Sequence, residues 1–458
     1  MTETTLLAPG SIHALTPHDL GVSGGSIAKY SGMTVFLDKG LPGETLRARV
    51  LERKARFARA EVLETLSPSP DALPSFCPHG GSCGGCAWTT LAYSAQLAWK
   101  ERQAKETLAR IGKVNFDGES EYLPIIPSPK QTGYRNKMEF AFGLADGGDA
   151  LGLRHRNAHT IVPVDECALS ALPVGPVLAA ARAWMRDAGL HPWDGKTGQL
   201  RFLVIRCPEY TPDGSPRCLV ECITAPLRYE NARKVKAFGV SLLESSLATG
   251  FVHTTRRDRA NVAYGEAVAL ALGETTVTEA IGRLRLQAPV QAFLQANTGA
   301  AALLYEQIRH YAGDEDAVVW DLYCGVGGVA LSLFREGLVM RGVESVPEAA
   351  AFAAKNAKAV AGDIAFACGD AAEALVRLSP LPDLVITDPP RAGMDKRLTE
   401  ALLRHKPRRI IAVGCDAASL ARDVALLGAA YRLKSARAVD LFPHTPHMEI
   451  ATLLELAR

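Results

Sequence analysis

From about residue 292 onward, strand-like and helix-like segments alternate in regular succession, and this rhythm constrains the fold more than any other feature of the chain. AVVWDLYCG is an apolar run ending in a glycine turn, followed by a helical stretch that closes near Gly337. LVMRGVES is the second strand, followed by the alanine-rich helix PEAAAFAAKNAKAV. IAFACGD, DLVITDPP and RRIIAVGCD are further strands separated by helical segments, and MEIATLLEL ends the sequence. Apolar strands alternating with helices predict a doubly wound, mostly parallel sheet, so the expected class is an α/β Rossmann-like domain over residues 286–458.

A chain of 458 residues exceeds one compact core, and the sequence divides accordingly. Residues 1–66 read as a small OB-like β unit of short strands punctuated by glycine and proline. In ETLRARVL, Leu46, Ala48 and Val50 alternate with Arg47 and Arg49, and Arg53, Lys54, Arg56 and Arg59 extend a basic stripe. SPSPDALPS is a linker, and residues 76–285 form an expected α+β central domain with strands near YRNKMEFAFG, RFLVIRCPE and PRCLVECITA. With 48% hydrophobic and 22% charged residues the composition is that of a soluble globular protein. The N-terminus has no secretory pattern and no apolar run approaches the roughly 20 residues a membrane span needs, so a cytoplasmic monomer without a membrane partner is expected. A net charge of +2 does not itself announce nucleic acid, and ten cysteines in such a chain read as thiols, metal ligands or nucleophiles.

Ligands of doubly wound sheets bind beyond the carboxyl ends of the strands. The first strand delivers Asp321-Leu-Tyr-Cys-Gly-Val-Gly-Gly328 to that rim. This is not G-x-G-x-x-G and has no P-loop lysine, so the ligand need not carry phosphate. Glu344 ends the second strand, suited to ribose hydroxyls, and Asp370 ends the third, within reach of an adenine amino group. Each acid alone fits a helix cap. The ordered set favours S-adenosylmethionine over a dinucleotide. Asp388 follows the fourth strand and Cys415 ends the fifth; if the last strand is antiparallel, Glu449 stands on the same rim. A thiolate that adds to carbon 6 of a pyrimidine turns carbon 5 into a nucleophile, and a carboxylate can then remove the carbon 5 proton. The helix after Cys415 is expected to lower its thiol pKa.

DLYCGVGG, DPPRAGM, GCDAASLARD and FPHTPHME resemble, in order and spacing, the motifs of the uracil-5 RNA methyltransferase family. The resemblance covers essentially the whole chain. It implies Cys415 as nucleophile, Glu449 as base, and Gln295 of FLQAN, Tyr323, Gly328, Glu344, Asp370 and Asp388 as S-adenosylmethionine contacts. Gly328 stands where an asparagine is common, which removes that side-chain contact, and Asp416-Ala417 stand where Asn-Pro is usual.

Cys77, Cys83 and Cys86 form C-x5-C-x2-C in a glycine-rich loop, compatible with an iron–sulfur cluster or zinc. The resemblance adds Cys167 as fourth ligand and selects [4Fe–4S], and it likens the N-terminal unit to an RNA-binding TRAM domain. Tyr134-Arg-Asn-Lys137 offers donors and a stacking ring to RNA. The expected partner is structured RNA, 23S ribosomal RNA ahead of tRNA. A radical methylthiotransferase would carry C-x3-C-x2-C ahead of a barrel, and an amino-group methyltransferase an aromatic where Arg391 stands. An RNA-binding redox sensor with an inactive enzyme domain is opposed by intact Cys415 and Glu449.

Overall fold

The computed structural model describes residues 7–156, 158–208, 217–358, 360, 362–377 and 379–457. Six strands, Ile12–Leu15, Pro17–Leu20, Ser26–Tyr30, Met33–Leu37, Thr45–Arg53 and Phe57–Ser67, form the N-terminal sheet. The alternation in ETLRARVL is realised: Leu46, Ala48 and Val50 are buried with Leu15 and Val35, while Arg47 and Arg49 face outward. The basic stripe is partly paired with glutamates. Arg47 pairs with Glu64 at 2.6 Å, Arg49 with Glu61 at 3.9 Å and Lys54 with Glu52 at 2.5 Å. Exposed pairs of this kind stabilise little, and the three glutamates set against six basic residues lower the charge a polyanion would meet without cancelling it.

The central sheet runs in the order Ile161–Pro163, Gly148–Arg154, Lys137–Ala145, Leu200–Arg206, Leu219–Thr224, Gly250–Thr255, Ala267–Gly273. The helices Gly175–Ala188 and Tyr229–Glu244 close a core around Phe140, Leu203, Phe238 and Phe251. The hairpin Thr276–Ile281/Leu284–Pro289 then leads into the last unit.

That unit is built on eight strands: β1 (Glu121–Ile126), β2 (Val318–Leu322), β3 (Val339–Glu344), β4 (Ile364–Cys368), β5 (Leu384–Thr387), β6 (Arg409–Gly414), β7 (Tyr431–Val439) and β8 (Glu449–Leu456). Their order is β4-β3-β2-β5-β6-β8-β7-β1. β2 to β6 are mutually parallel, whereas β8 runs antiparallel to both β6 and β7. Trp320, Leu322, Val385, Ile386, Ile410 and Ile411 are all fully buried, as continuous apolar strands sandwiched by helices must be.

The helices of this unit are α1 (Tyr93–Arg110), α2 (Thr298–Ala312), α3 (Gly328–Leu333), α4 (Pro347–Ala357), α5 (Ala371–Arg377), α6 (Lys396–His405) and α7 (Ala417–Leu427). Their starts are written in the sequence. Asn297, Asp395 and Asp416 accept N–H bonds from Ala300, Leu398 and Ser419 respectively, and α4 opens with a proline. β1 pairs in parallel with β7 and α1 packs on α7, so 93–126 joins this sheet although its sequence neighbours belong to the central unit. The free edge of β7 would otherwise expose unpaired backbone groups. Among the described residues no helix is long and apolar enough to cross a membrane.

Candidate active site

The turn after β2 bends sharply. Tyr323, Gly325 and Gly327 all take left-handed φ values, 65°, 55° and 90°. For Tyr323 that conformation costs energy and marks a site where the surroundings hold the backbone. The Glu344 carboxylate at the end of β3 braces the turn, accepting the N–H of Gly325 at 3.0 Å and that of Val346 at 2.7 Å. Asp321 lies beneath it, accepts the Ala330 N–H at 2.9 Å, and is pushed up to about 8 by burial, reinforced by the Asp388 and Glu344 charges. Asp370 caps α5 by accepting the N–H groups of Ala372 and Glu373, both at 3.0 Å, and pairs with Arg397 at 2.8 Å. Of the acids read from the sequence, it is the one whose capping role is visible. Gln295 is buried, and its Oε1 has no partner among the described residues. Its backbone carbonyl is held by the Asn136 side chain at 3.1 Å. An orphaned, buried amide oxygen suits a polar ligand that brings its own donors.

The chemistry-bearing residues converge through strand register. Leu322 pairs with Thr387, Thr387 with Ala412, and Gly414 with Ile450. Asp388, Cys415 and Glu449 therefore leave three adjacent strands at one rim, because β8 is antiparallel. Glu449 is buried with Oε2 unpartnered among the described residues, and burial together with the Asp388 charge holds its carboxyl well above the usual range. Burial also lifts Asp388 to about 6. The thiol expectation is overturned. Burial first, then the Glu449 and Asp388 charges, raise Cys415 to about 11, outweighing the Arg391 guanidinium, which pulls it down. Cys415 also precedes the capping Asp416 rather than lying in the first helical turn, so the helix end acts on it weakly. Iodoacetamide should accordingly alkylate Cys415 slowly at pH 8, where about one thiol in 10³ is ionised, and faster as pH climbs through 9 to 11. Arg391→Gln should shift that profile to higher pH; an unchanged profile would remove the arginine from the thiol's surroundings.

Arg391 is a residue the sequence reading passed over except as a departure from an aromatic. Its charge acts on Cys415, Glu449 and His447 together. The signal was available: it follows Asp-Pro-Pro directly after β5. Phe293, 71% exposed two residues before Gln295, is a second omission, an apolar ring left in water beside the rim. Cys324, by contrast, is buried, and a Cβ added at Gly342 of β3 would meet its sulfur at 3.0 Å, so it faces the sheet.

The segment before Glu449 is anchored from several sides. Lys100 of α1 donates to Asp440 at 2.6 Å and to the Phe442 carbonyl at 3.0 Å, with both charged side chains wholly buried. Gln96 accepts the His444 N–H at 2.8 Å, and the N–H groups of Ala87 and Trp88 both reach the His444 carbonyl at 3.0 Å. Tyr134 is 1% exposed and donates its hydroxyl to the Pro443 carbonyl at 3.1 Å. It is thus a buried brace and not the stacking ring expected from the sequence.

Among the described residues no group of three or more His, Cys, Asp or Glu side chains is arranged to hold a metal ion. Cys77, Cys83 and Cys167 lie within electrostatic reach of Cys86. After burial, the charges of Cys167, Cys83 and Cys77 raise Cys86, to about 12. The Gly85 N–H points at the Cys83 sulfur at 3.3 Å. The loop is clamped to the central sheet through Gly84 N–H to the Arg154 carbonyl and Arg156 N–H to the Ser82 carbonyl, both 2.9 Å.

A cavity of about 530 Å³, lined by Gly282, Arg283, Arg309, Leu338 and Leu384 among others, opens at the amino ends of the strands, the rim opposite the chemistry. Two of its arginines are engaged: Arg309 donates to the Ser332 carbonyl and Arg335 to that of Asp316. The carboxyl-end rim remains the candidate site.

Comparison with known proteins agrees with this geometry. A family model described as tRNA (Uracil-5-)-methyltransferase matches residues 379–457, the stretch holding Asp388, Arg391, Cys415 and Glu449. An uncharacterised RNA methyltransferase of Nitratidesulfovibrio vulgaris is 42% identical, over 98% of this chain and 96% of its own length. Another from Halalkalibacterium halodurans is 31% identical over 96% of each chain. The crystal structure of Pyrococcus abyssi tRNA (uracil-54, C5)-methyltransferase in complex with S-adenosyl-L-homocysteine superposes with a TM-score of 0.76 at 25% identity, covering 96% of this chain and all of that one. The chain belongs to the RNA (uracil-5-)-methyltransferase family.

Proposed function

We propose that the enzyme transfers a methyl group from S-adenosylmethionine to carbon 5 of a uridine in 23S ribosomal RNA. The observation that carries the reading is the meeting of Cys415 and Glu449 on one rim, the rim to which β2 delivers its glycine turn. When bound, S-adenosylmethionine supplies an electrophilic methyl group on a sulfonium. Gln295, Tyr323, Glu344 and Asp388 would hold it, with Gly328 leaving the backbone open and Asp370 acting through the cap and ion pair it already makes.

On this reading Cys415 adds through sulfur to carbon 6 of the uracil, and the ring's electron pair moves to make carbon 5 nucleophilic. Carbon 5 would form its carbon–carbon bond as the methyl–sulfonium bond breaks, the sulfur keeping that bond's electron pair as a thioether. Glu449 then takes the carbon 5 proton, the carbon 6–sulfur bond breaks, and the thiolate is released. A carboxyl held well above its ordinary pKa is a stronger base once ionised, which suits a carbon-bound proton. Arg391, which lowers the pKa of both Cys415 and Glu449, favours the charged forms the steps require. The exposed ring of Phe293 offers a stacking face to an unpaired base.

Cys77, Cys83, Cys86 and Cys167 are the donor set that a [4Fe–4S] cluster would take, with the Gly85 N–H available to a ligating sulfur. No step above needs an electron, so its role would be to tie the loop. A second reading, tRNA as substrate, is favoured by the Pyrococcus enzyme's match along the entire chain. The partly paired stripe of the N-terminal unit does not discriminate.

The test is methylation of separate 23S rRNA and tRNA transcripts with labelled S-adenosylmethionine, followed by mass mapping of 5-methyluridine. Label in a single 23S fragment is the expected result. Label in tRNA alone would replace the substrate, and a methyl group on any atom other than uracil carbon 5 would overturn the chemistry.

A further inference from the structure

Gly328 opens α3 with ordinary helical geometry, so its backbone does not require glycine. Space requires it. A Cβ built at this position would lie 2.5 Å from the hydroxyl oxygen of Tyr305 and 3.1 Å from the ring carbon that bears it. The volume a side chain at 328 would take is filled from below by a tyrosine of α2. Tyr305 is 8% exposed, packed among Leu286, Leu304 and Val329. Its hydroxyl lies within electrostatic reach of Asp388 and Asp321. The hydroxyl ends under the glycine turn, at the rim where the cofactor is placed by the reading above.

The layout also indicates which part of a cofactor it would meet. Glu344 closes β3 on one side of the turn, suited to ribose. Cys415 closes β6 on the other side, and the reactive methyl must face it. Asp388 leaves β5 between them, and Tyr305 reaches under the turn within electrostatic reach of Asp388 and Asp321, where acidic groups complement an ammonium.

We infer that Tyr305 is a cofactor-binding residue, its hydroxyl replacing a side chain at position 328 and contacting the amino-acid end of S-adenosylmethionine. The inference rests on the S-adenosylmethionine reading and is specific to this chain's Gly328–Tyr305 pair.

Calorimetric titration of the full chain with S-adenosylhomocysteine and with 5′-methylthioadenosine, which lacks the amino-acid end, tests it. Tyr305→Phe keeps the packed ring and should weaken S-adenosylhomocysteine roughly tenfold while leaving 5′-methylthioadenosine unchanged. Gly328→Ala should weaken S-adenosylhomocysteine in the presence of Tyr305 and have much less effect in Tyr305→Phe, because the two groups compete for one volume. Equal affinity of wild type and Tyr305→Phe for S-adenosylhomocysteine would overturn the inference. So would an equal loss on both ligands, which marks general disruption. Failure of the wild type to bind either ligand would instead sink the cofactor reading itself.

Discussion

Cys415→Ala and Glu449→Gln should both abolish turnover yet have opposite effects on the covalent complex with RNA. Without the sulfur no bond to carbon 6 forms, so RNA carrying 5-fluorouracil should give no denaturation-resistant adduct. With Glu449→Gln the thiol still adds and carbon 5 still accepts the methyl group, but nothing removes the proton. The adduct should then accumulate even on unmodified RNA. General base catalysis contributes about 10²–10⁴-fold, and the loss in turnover should fall in that range. The variant is also isosteric at a buried position whose carboxyl is held well above its ordinary pKa, so the fold should tolerate it. Denaturing gel electrophoresis of the two variants with labelled RNA decides the matter. An adduct that persists in Cys415→Ala would move the nucleophile elsewhere, although Cys324 faces the sheet and is poorly placed to take over.

A large effect is also expected far from the reacting atoms. Cys86→Ser, or removal of iron by chelation under the cluster proposal, should loosen residues 440–449 and lower methylation on the order of 10²-fold. The path is short. Cys86 is followed by Ala87 and Trp88, whose N–H groups hold the His444 carbonyl, and the Phe76 ring lies 4.3 Å from that of His444. His444 itself sits at a left-handed φ of 66°, which persists only while its neighbours hold it. Glu449 follows five residues later. Misplacing a catalytic group by about 1 Å is enough for a loss of this size. Hydrogen exchange should rise across 440–449, and S-adenosylhomocysteine affinity should stay near the wild-type value. Unchanged exchange in that segment would separate the cysteine loop from the catalytic rim. The buried Lys100–Asp440 pair keeps the segment partly anchored, so the expected change is loosening and not unfolding.

The local pattern of the chain carried much of this. Alternating apolar strands and capped helices specified the α/β class, because period and capping chemistry are properties of neighbouring residues. Asp388, Cys415 and Glu449 were legible as strand-end residues, and Cys77, Cys83 and Cys86 as a close-spaced set. What β8 does was conditional in the sequence: only its antiparallel pairing with β6 brings Glu449 beside Cys415. The charge state of Cys415 could not be read at all. A helix start suggested a lowered pKa, but burial and two carboxylates from other strands decide the opposite direction.

The same distinction holds elsewhere. Arg47 and Arg49 read as a basic stripe until Glu64 and Glu61 arrive from the next strand. Tyr134 read as a stacking ring until the catalytic segment folded over it. Gly328 read as a lost contact until Tyr305 rose beneath it from α2. By itself the sequence determined which elements form and which residues end their strands, since both follow from short-range periodicity. The tertiary structure alone decided which charges and side chains face each other, since those depend on strand register and packing between segments far apart in the chain.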